Sequence, residues 1–213
     1  MKLPPLQAIV DVDLAKGAGW RPTDLARAFL DGGARALQIR AKTLASGPLL
    51  DLCDTVVGAA RPYAALVIVN DRADIARLSG ADGVHLGQHD LAPVDARQLL
   101  GSQAIVGLST HAVSQIEAAL TEPVSYIAVG PVFGSTTKDT GYNTVGLELV
   151  SRAARLAGPT PVVAIGGITL HNAASVIDAG AASVAVIGDL LVTKDVSGRI
   201  DAYLQHLTKY LRV

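Results

Sequence analysis

The sequence predicts an α/β protein folded as a single (β/α)8 TIM barrel over residues 1–213. Three observations predict it. Short apolar runs alternate with longer amphipathic stretches from end to end, the rhythm of a parallel sheet with crossover helices. The apolar runs are largely unbroken by polar residues, which suits strands buried on both faces. Three helix-to-strand joints also look alike: Asp31-Gly32-Gly33-Ala34-Arg35, Ser79-Gly80-Ala81-Asp82-Gly83 and Ala179-Gly180-Ala181-Ala182-Ser183. An open doubly wound sheet has the same rhythm and is the rival architecture.

Taken in order, the run Gln7–Val10 leads to a helix-like stretch, Thr23–Leu30, that closes at Gly32-Gly33. Ala36–Ile39 precedes Pro48–Ala60. Ala65–Val69 precedes Ile75–Ser79, closed by Gly80, and Gly83–Leu86 precedes Val94–Leu100, closed by Gly101. Ile105–Leu108 is followed by Val113–Leu120, and Tyr126–Val129 by Gly146–Leu156. Pro161–Ile165 precedes His171–Ala179, closed by Gly180, and Ser183–Ile187 precedes Ser197–Leu211. Glycine suits such helix ends because it accepts positive φ. About eight units in ~200 residues match a small barrel. Lys16–Gly19, Trp20 and Tyr142 read as lid-like loop.

Composition narrows the function. Half the residues are hydrophobic and 17% are charged, with mean hydropathy +0.37. That is a core-rich globular chain, not a disordered one. A net charge of −1 gives no electrostatic footprint for nucleic acid or a membrane surface. No run approaches the ~20 apolar residues of a membrane span. The start, Met1-Lys2-Leu3-Pro4-Pro5, lacks the pattern of a signal peptide. The single Cys53 excludes an internal disulfide and suits the cytoplasm; it reads as packed core. Expected partners are small molecules, and the oligomeric state, a homo-oligomer included, is left open.

In a TIM barrel the active site lies at the C-terminal ends of the strands. Those ends carry Gln38, Arg40 and Lys42; Asn70 and Asp71; Gln88 and Asp90; then Ser109, Thr110 and His111. Ser135, Thr136, Thr137 and Lys138 follow the sixth run, Gly166-Gly167 the seventh and Gly188 the eighth. Cations, hydroxyls, carboxylates and glycines on one rim make an anion-binding set. The glycines fit a phosphate held on backbone N–H groups. Asp71 and Asp90, on neighbouring strand ends, can share a magnesium ion that keeps room for phosphate oxygens.

Plainer readings stand beside these. Asp71 or Asn70 can cap the following helix, and Asp90 can be a loop residue before Leu91-Ala92-Pro93. Arg40 and Lys42 alternate with Ala41, so both point into the barrel or its mouth. A buried cation without a partner is costly, which argues for a bound anion; the alternative is an ion pair with a nearby carboxylate. Lys138 alone would be a solvated loop lysine. His85, between Val84 and Leu86, reads as a satisfied core histidine, His89 and His171 as surface residues, and His111 as a candidate base.

Read together, Gln38-Ile39-Arg40-Ala41-Lys42, Asn70-Asp71-Arg72-Ala73-Asp74 and Gly80–Gln88 closely resemble the thiamine-phosphate synthase family. The resemblance continues through Gly107-Leu108-Ser109, Gly130-Pro131-Val132-Phe133, Thr137-Lys138 and Ala164-Ile165-Gly166-Gly167-Ile168. It covers nearly the whole chain. It implies a transferase that condenses an aminopyrimidine methyl diphosphate with a thiazole phosphate, releasing diphosphate. It implies Gln38 on the aminopyrimidine and Arg40, Lys42, Lys138 and Asn70 on the diphosphate. It implies Asp71 and Asp90 on magnesium, and Ser109 near the diphosphate and pyrimidine. The catalytic set it implies is Ser109, Lys138 and Arg40. Ser135, Thr137, Gly167, Ile187 and Gly188 would hold the thiazole phosphate.

Three positions depart from the family pattern. Gly188 stands where Thr or Ser is usual, Ser135 where Thr is common, and Gln7 where Tyr is frequent, which alters one wall of the pyrimidine pocket. Rival readings are a thiazole tautomerase with His111 as base, a non-catalytic regulator that binds thiamine phosphate, and an unrelated phosphate-binding barrel isomerase or lyase. The intact Arg40, Lys42, Asp71, Asp90 and Lys138 argue for the transferase.

Overall fold

The computed structural model describes residues 2–134 and 143–210. The apolar runs form parallel strands: β1 Leu6–Asp11, β2 Ala36–Arg40, β3 Leu66–Asn70, β4 Gly83–Leu86, β5 Ile105–Thr110, β6 Tyr126–Val129, β7 Val162–Ile165 and β8 Ser183–Val186. Each pairs with the next, and β1 pairs with β8 through Leu6↔Val184, Gln7↔Ala185 and Ala8↔Val186. The sheet is therefore a closed barrel, and the open doubly wound alternative is excluded.

Alternation along each strand sorts side chains into two apolar compartments. Leu6, Ala8, Val10, Leu37, Ile39, Val67 and Val69 face the helices and join their buried faces. Ile9, Ile68, Ile105, Tyr126, Ala128, Val163 and Ala185 fill the barrel. Both faces of every strand are thus covered, which is why the runs carry so few polar residues.

The strand registers stagger the inward side chains into layers taken from alternate strands. Gln7, Ile68, Gly107 and Val163 form one layer. Above it lie Gln38, His85, Ala128 and Ala185, then Ile9, Asn70, Ser109 and Ile165, and at the mouth Arg40, Gly87, Gly130 and Ile187. Gln7 sits within the barrel at 1% exposure, beneath the layer of Gln38.

The helices are α1 Val12–Gly17, α2 Pro22–Asp31, α3 Ser46–Ala60, α4 Ala73–Ser79, α5 Pro93–Leu100, α6 Val113–Ala119, α7 Gly146–Ala157, α8 Ala173–Asp178 and α9 Val196–Thr208. The expected helices are present with shifted ends. The addition is α1, which takes in Lys16 and Gly17 where loop was expected. Asp11 starts it, its side chain accepting the Leu14 N–H. Among the described residues no helix is long and apolar enough to cross a membrane.

Candidate active site

The rim is built from strand ends that run further than the apolar pattern suggested. β1 reaches Asp11 and β2 reaches Arg40, and these two are register partners. The Arg40 guanidinium lies 2.5 Å from Asp11 Oδ2, with side chains only 14% and 4% exposed. Arg40 is therefore not an unpartnered cation, and the inference of a bound anion from its isolation is corrected. Asp11 also caps α1, so one carboxylate fixes both the helix start and the guanidinium. The remaining guanidinium N–H groups are the ones an anion would meet.

β3 ends at Asn70, and Asp71 turns the chain with φ 66°. That left-handed conformation is uncommon outside glycine and is best tolerated by Asn and Asp. The Asp71 N–H donates to the His85 carbonyl at 2.8 Å, which anchors the turn to β4. Asp71 does not cap α4: the cap residue is Arg72, and no side chain caps that end. Its carboxylate instead pairs with the Lys42 ammonium. Asp90 lies beyond β4 and accepts the Gly87 N–H at 2.7 Å. Burial, reinforced by the Asp71 carboxylate beside it, raises the Asp90 pKa above the usual carboxylate range. Two facing carboxylates, one of them reluctant to ionise, form a site that a cation would relieve.

The local charge points the same way. Arg40 and Lys42 stand beside the carboxyl groups of Asp11, Asp71 and Asp90. A diphosphate beside these carboxyl groups would gain from a divalent ion that joined it. The described residues contain no group of three or more His, Cys, Asp or Glu able to hold a metal. A hard ion on two carboxylates, completed by phosphate oxygens and water, is the arrangement that fits.

The other half of the rim is a cavity of about 350 Å³ at the ends of β5–β8. Ser109, His111, Gly130, Gly166, Gly167, Ile187 and Gly188 line it. Gly166 and Gly167 have φ of 101° and 63°, and added Cβ atoms would come within 2.5 Å of Pro131 Cα and of the Gly134 carbonyl. Only glycine fits this double turn. It is stitched to the loop after β6 by Val132 N–H to the Ile165 carbonyl and Phe133 N–H to the Gly166 carbonyl. His111 Nδ1 donates to the Gly130 carbonyl at 2.5 Å.

Ile187 precedes a 3₁₀ turn, Gly188–Leu191, that presents backbone N–H groups at the rim. Asp189 locks that turn. Its carboxylate accepts from Arg199 at 2.6 Å, from the Tyr203 hydroxyl at 2.5 Å and from the Leu170 N–H at 3.0 Å. The loops after β7 and β8 are thereby tied to α9.

Gln38, Arg40, Lys42, Asn70, Asp71, Asp90, Ser109, Gly167, Ile187 and Gly188 thus all belong to one end of the barrel. Ser135, Thr137 and Lys138 lie outside the described residues. Asp11 escapes the apolar pattern because it lies one residue beyond the run Gln7–Val10. Asp189 is likewise marked by no local pattern.

A family model described as "Thiamine monophosphate synthase" matches residues 6–190. The chain belongs to the thiamine monophosphate synthase family. A relative named thiamine-phosphate synthase from Koribacter versatilis is 43% identical over 212 residues, covering 97% of each chain. One of the same name from Anaeromyxobacter dehalogenans is 45% identical over 177 residues, covering 83% of this chain and 79% of that one. Among solved structures, a thiamine phosphate pyrophosphorylase from Pyrococcus furiosus superposes with TM-score 0.87 at 29% identity, covering 97% and 96% of the two chains.

Proposed function

We propose that this member of the thiamine monophosphate synthase family joins 4-amino-2-methyl-5-(diphosphomethyl)pyrimidine to a thiazole phosphate, forming thiamine phosphate and diphosphate. The observation that carries this reading is the facing pair Asp71 and Asp90 beside Lys42 and Arg40, across the mouth from a glycine-lined cavity. A tautomerase or a passive binder has no use for a carboxylate pair of that kind.

The chemistry divides between the two halves. Gln38 is an amide two layers below the mouth and can both donate to and accept from an aminopyrimidine. Arg40, Lys42, Lys138 and Asn70 would hold the diphosphate. Its C–O bond breaks with the electron pair leaving on diphosphate, and the electron-rich pyrimidine stabilises the methylene cation left behind. The thiazole nitrogen then forms the new C–N bond. Magnesium held by Asp71 and Asp90 would supply positive charge to the leaving group. The chain's own part is to stabilise departing charge and to align the two rings. Gly167, Ile187 and Gly188, with Ser135 and Thr137, would hold the thiazole phosphate. One barrel domain over residues 1–213 would carry the activity. The setting proposed is the cytoplasm, consistent with the buried free thiol of Cys53.

The deciding experiment supplies both phosphorylated rings and magnesium and follows thiamine phosphate and diphosphate. Equal amounts of both products are expected. Isomerisation of the thiazole with no coupling would move the assignment to the tautomerase.

A further inference from the structure

Beneath Ser109 lies a hydrogen-bonded chain that the mechanism above leaves unused. Ser109 Oγ is 2.8 Å from His85 Nε2, and His85 Nδ1 is 3.0 Å from the Tyr126 hydroxyl. The imidazole and phenol rings stack, 5.7 Å apart and 15° from parallel. His85 is 8% exposed and Tyr126 fully buried. Three neighbouring strands supply the chain, since His85 and Tyr126 are both register partners of Gly107. A Cβ on residue 107 would lie 2.1 Å from Tyr126 Cζ and 2.4 Å from its oxygen. Glycine at that position lets the phenol cross β5 and reach the histidine.

A serine 2.8 Å from a histidine has the outline of a nucleophile and its base. The third member decides otherwise. In a nucleophilic triad the third group is a carboxylate; it accepts Nδ1–H and leaves Nε2 as a base. Here the third group is a phenol. Burial pushes the Tyr126 pKa upward, so the hydroxyl keeps its proton. Among the described residues the hydrogen-bond partner of that hydroxyl is His85 Nδ1. A buried O–H without an acceptor is costly, so the phenol donates and Nδ1 accepts. The neutral ring then carries its proton on Nε2 and donates it to Ser109 Oγ. With a lone pair taken up by that bond, the serine turns its own proton toward the cavity it lines.

We propose that Tyr126 and His85 are positioning residues that fix Ser109 as a hydrogen-bond donor toward substrate. The role rests on the reading of Ser109 as a substrate-contacting residue. It suits a phosphate oxygen or a ring nitrogen as the acceptor, and it denies Ser109 the part of nucleophile.

The test is the tautomer of His85, read by 15N NMR of histidine-labelled protein, with His85→Gln identifying the resonances. The expected ring is neutral, protonated at Nε2 and bare at Nδ1. A proton on Nδ1, or a doubly protonated ring, overturns the proposal whatever the enzyme proves to catalyse. In Tyr126→Phe the tautomer should shift toward Nδ1–H; an unchanged ring overturns it too. Kinetically, Tyr126→Phe should lower kcat about tenfold with an unaltered melting curve, and add no further loss to Ser109→Ala. Additive losses would mean that Tyr126 acts only through the fold. Should Tyr126→Phe fail to fold, the tautomer of the unmodified protein still decides. Absence of coupling in that unmodified protein would strike the functional reading and leave the tautomer result standing.

Discussion

Asp71 joins an unusual backbone to a functional position. Its φ of 66° is one that asparagine also tolerates, so Asp71→Asn changes charge without forcing the turn. We expect that variant to keep its melting curve and to lose turnover by ~10²-fold or more, with a weaker response to added magnesium. Full activity of the unmodified enzyme in excess chelator would refute the metal role. Arg40 makes a second case. Losing a contact to charge that develops in the transition state costs ~2–4 kcal/mol, or about 10²–10³ in rate. Arg40→Ala should show that loss in kcat, and Arg40→Lys should recover little, because an ammonium cannot keep both the Asp11 contact and a forked phosphate contact. The position of Arg40 at the mouth was legible from alternation alone. Its partner was not: an aspartate ending an apolar run gives no sign of which strand it will lie beside until the β1–β2 register is known.

At the scale of elements, the eight strands were readable because each is a short, mostly apolar run that alternates with a longer amphipathic stretch. Helix α1 was not. It has six residues, too few for a periodic signal, and it forms because Asp11 caps it against the barrel. The turns after β7 and β8 give a contrasting pair of substitutions. Gly167→Ala meets both a positive φ and the Gly134 carbonyl at 2.5 Å, so thiazole phosphate binding should weaken at least tenfold. Gly188→Ser keeps the backbone N–H and adds a hydroxyl; its KM for thiazole phosphate should be unchanged or lower. Equal damage from both variants would place the phosphate elsewhere on the rim. Helix α3 carries Cys53, which is fully buried, and burial together with the charge of Asp54 pushes its thiol up to about 12. The thiol should resist alkylation in native protein from pH 7 to 9 and react at the rate of unfolding in urea.

Closure is the property of the whole molecule that no local pattern contains. The pairing of β1 with β8 joins residues near opposite ends of the chain, and it alone separates a barrel from an open sheet of the same rhythm. Closure also divides labour around the rim, with charge over β1–β4 and the glycine-lined cavity over β5–β8. It creates a buried interior as well, and there Gln7 is out of place. Among the described residues, both buried amide atoms of Gln7, one layer below Gln38, have no hydrogen-bond partner. Leaving a buried polar group unsatisfied costs ~1–3 kcal/mol, and methionine is close to glutamine in volume and lacks the amide. Gln7→Met should therefore stabilise the barrel by about 1–2 kcal/mol, which for a protein of this size raises Tm by roughly 2–8 °C. Urea titration at constant m-value measures it. A lower midpoint would mean that the amide is satisfied in solution and that Gln7 belongs to the polar floor of the substrate pocket; the same variant would then also raise KM for the pyrimidine diphosphate.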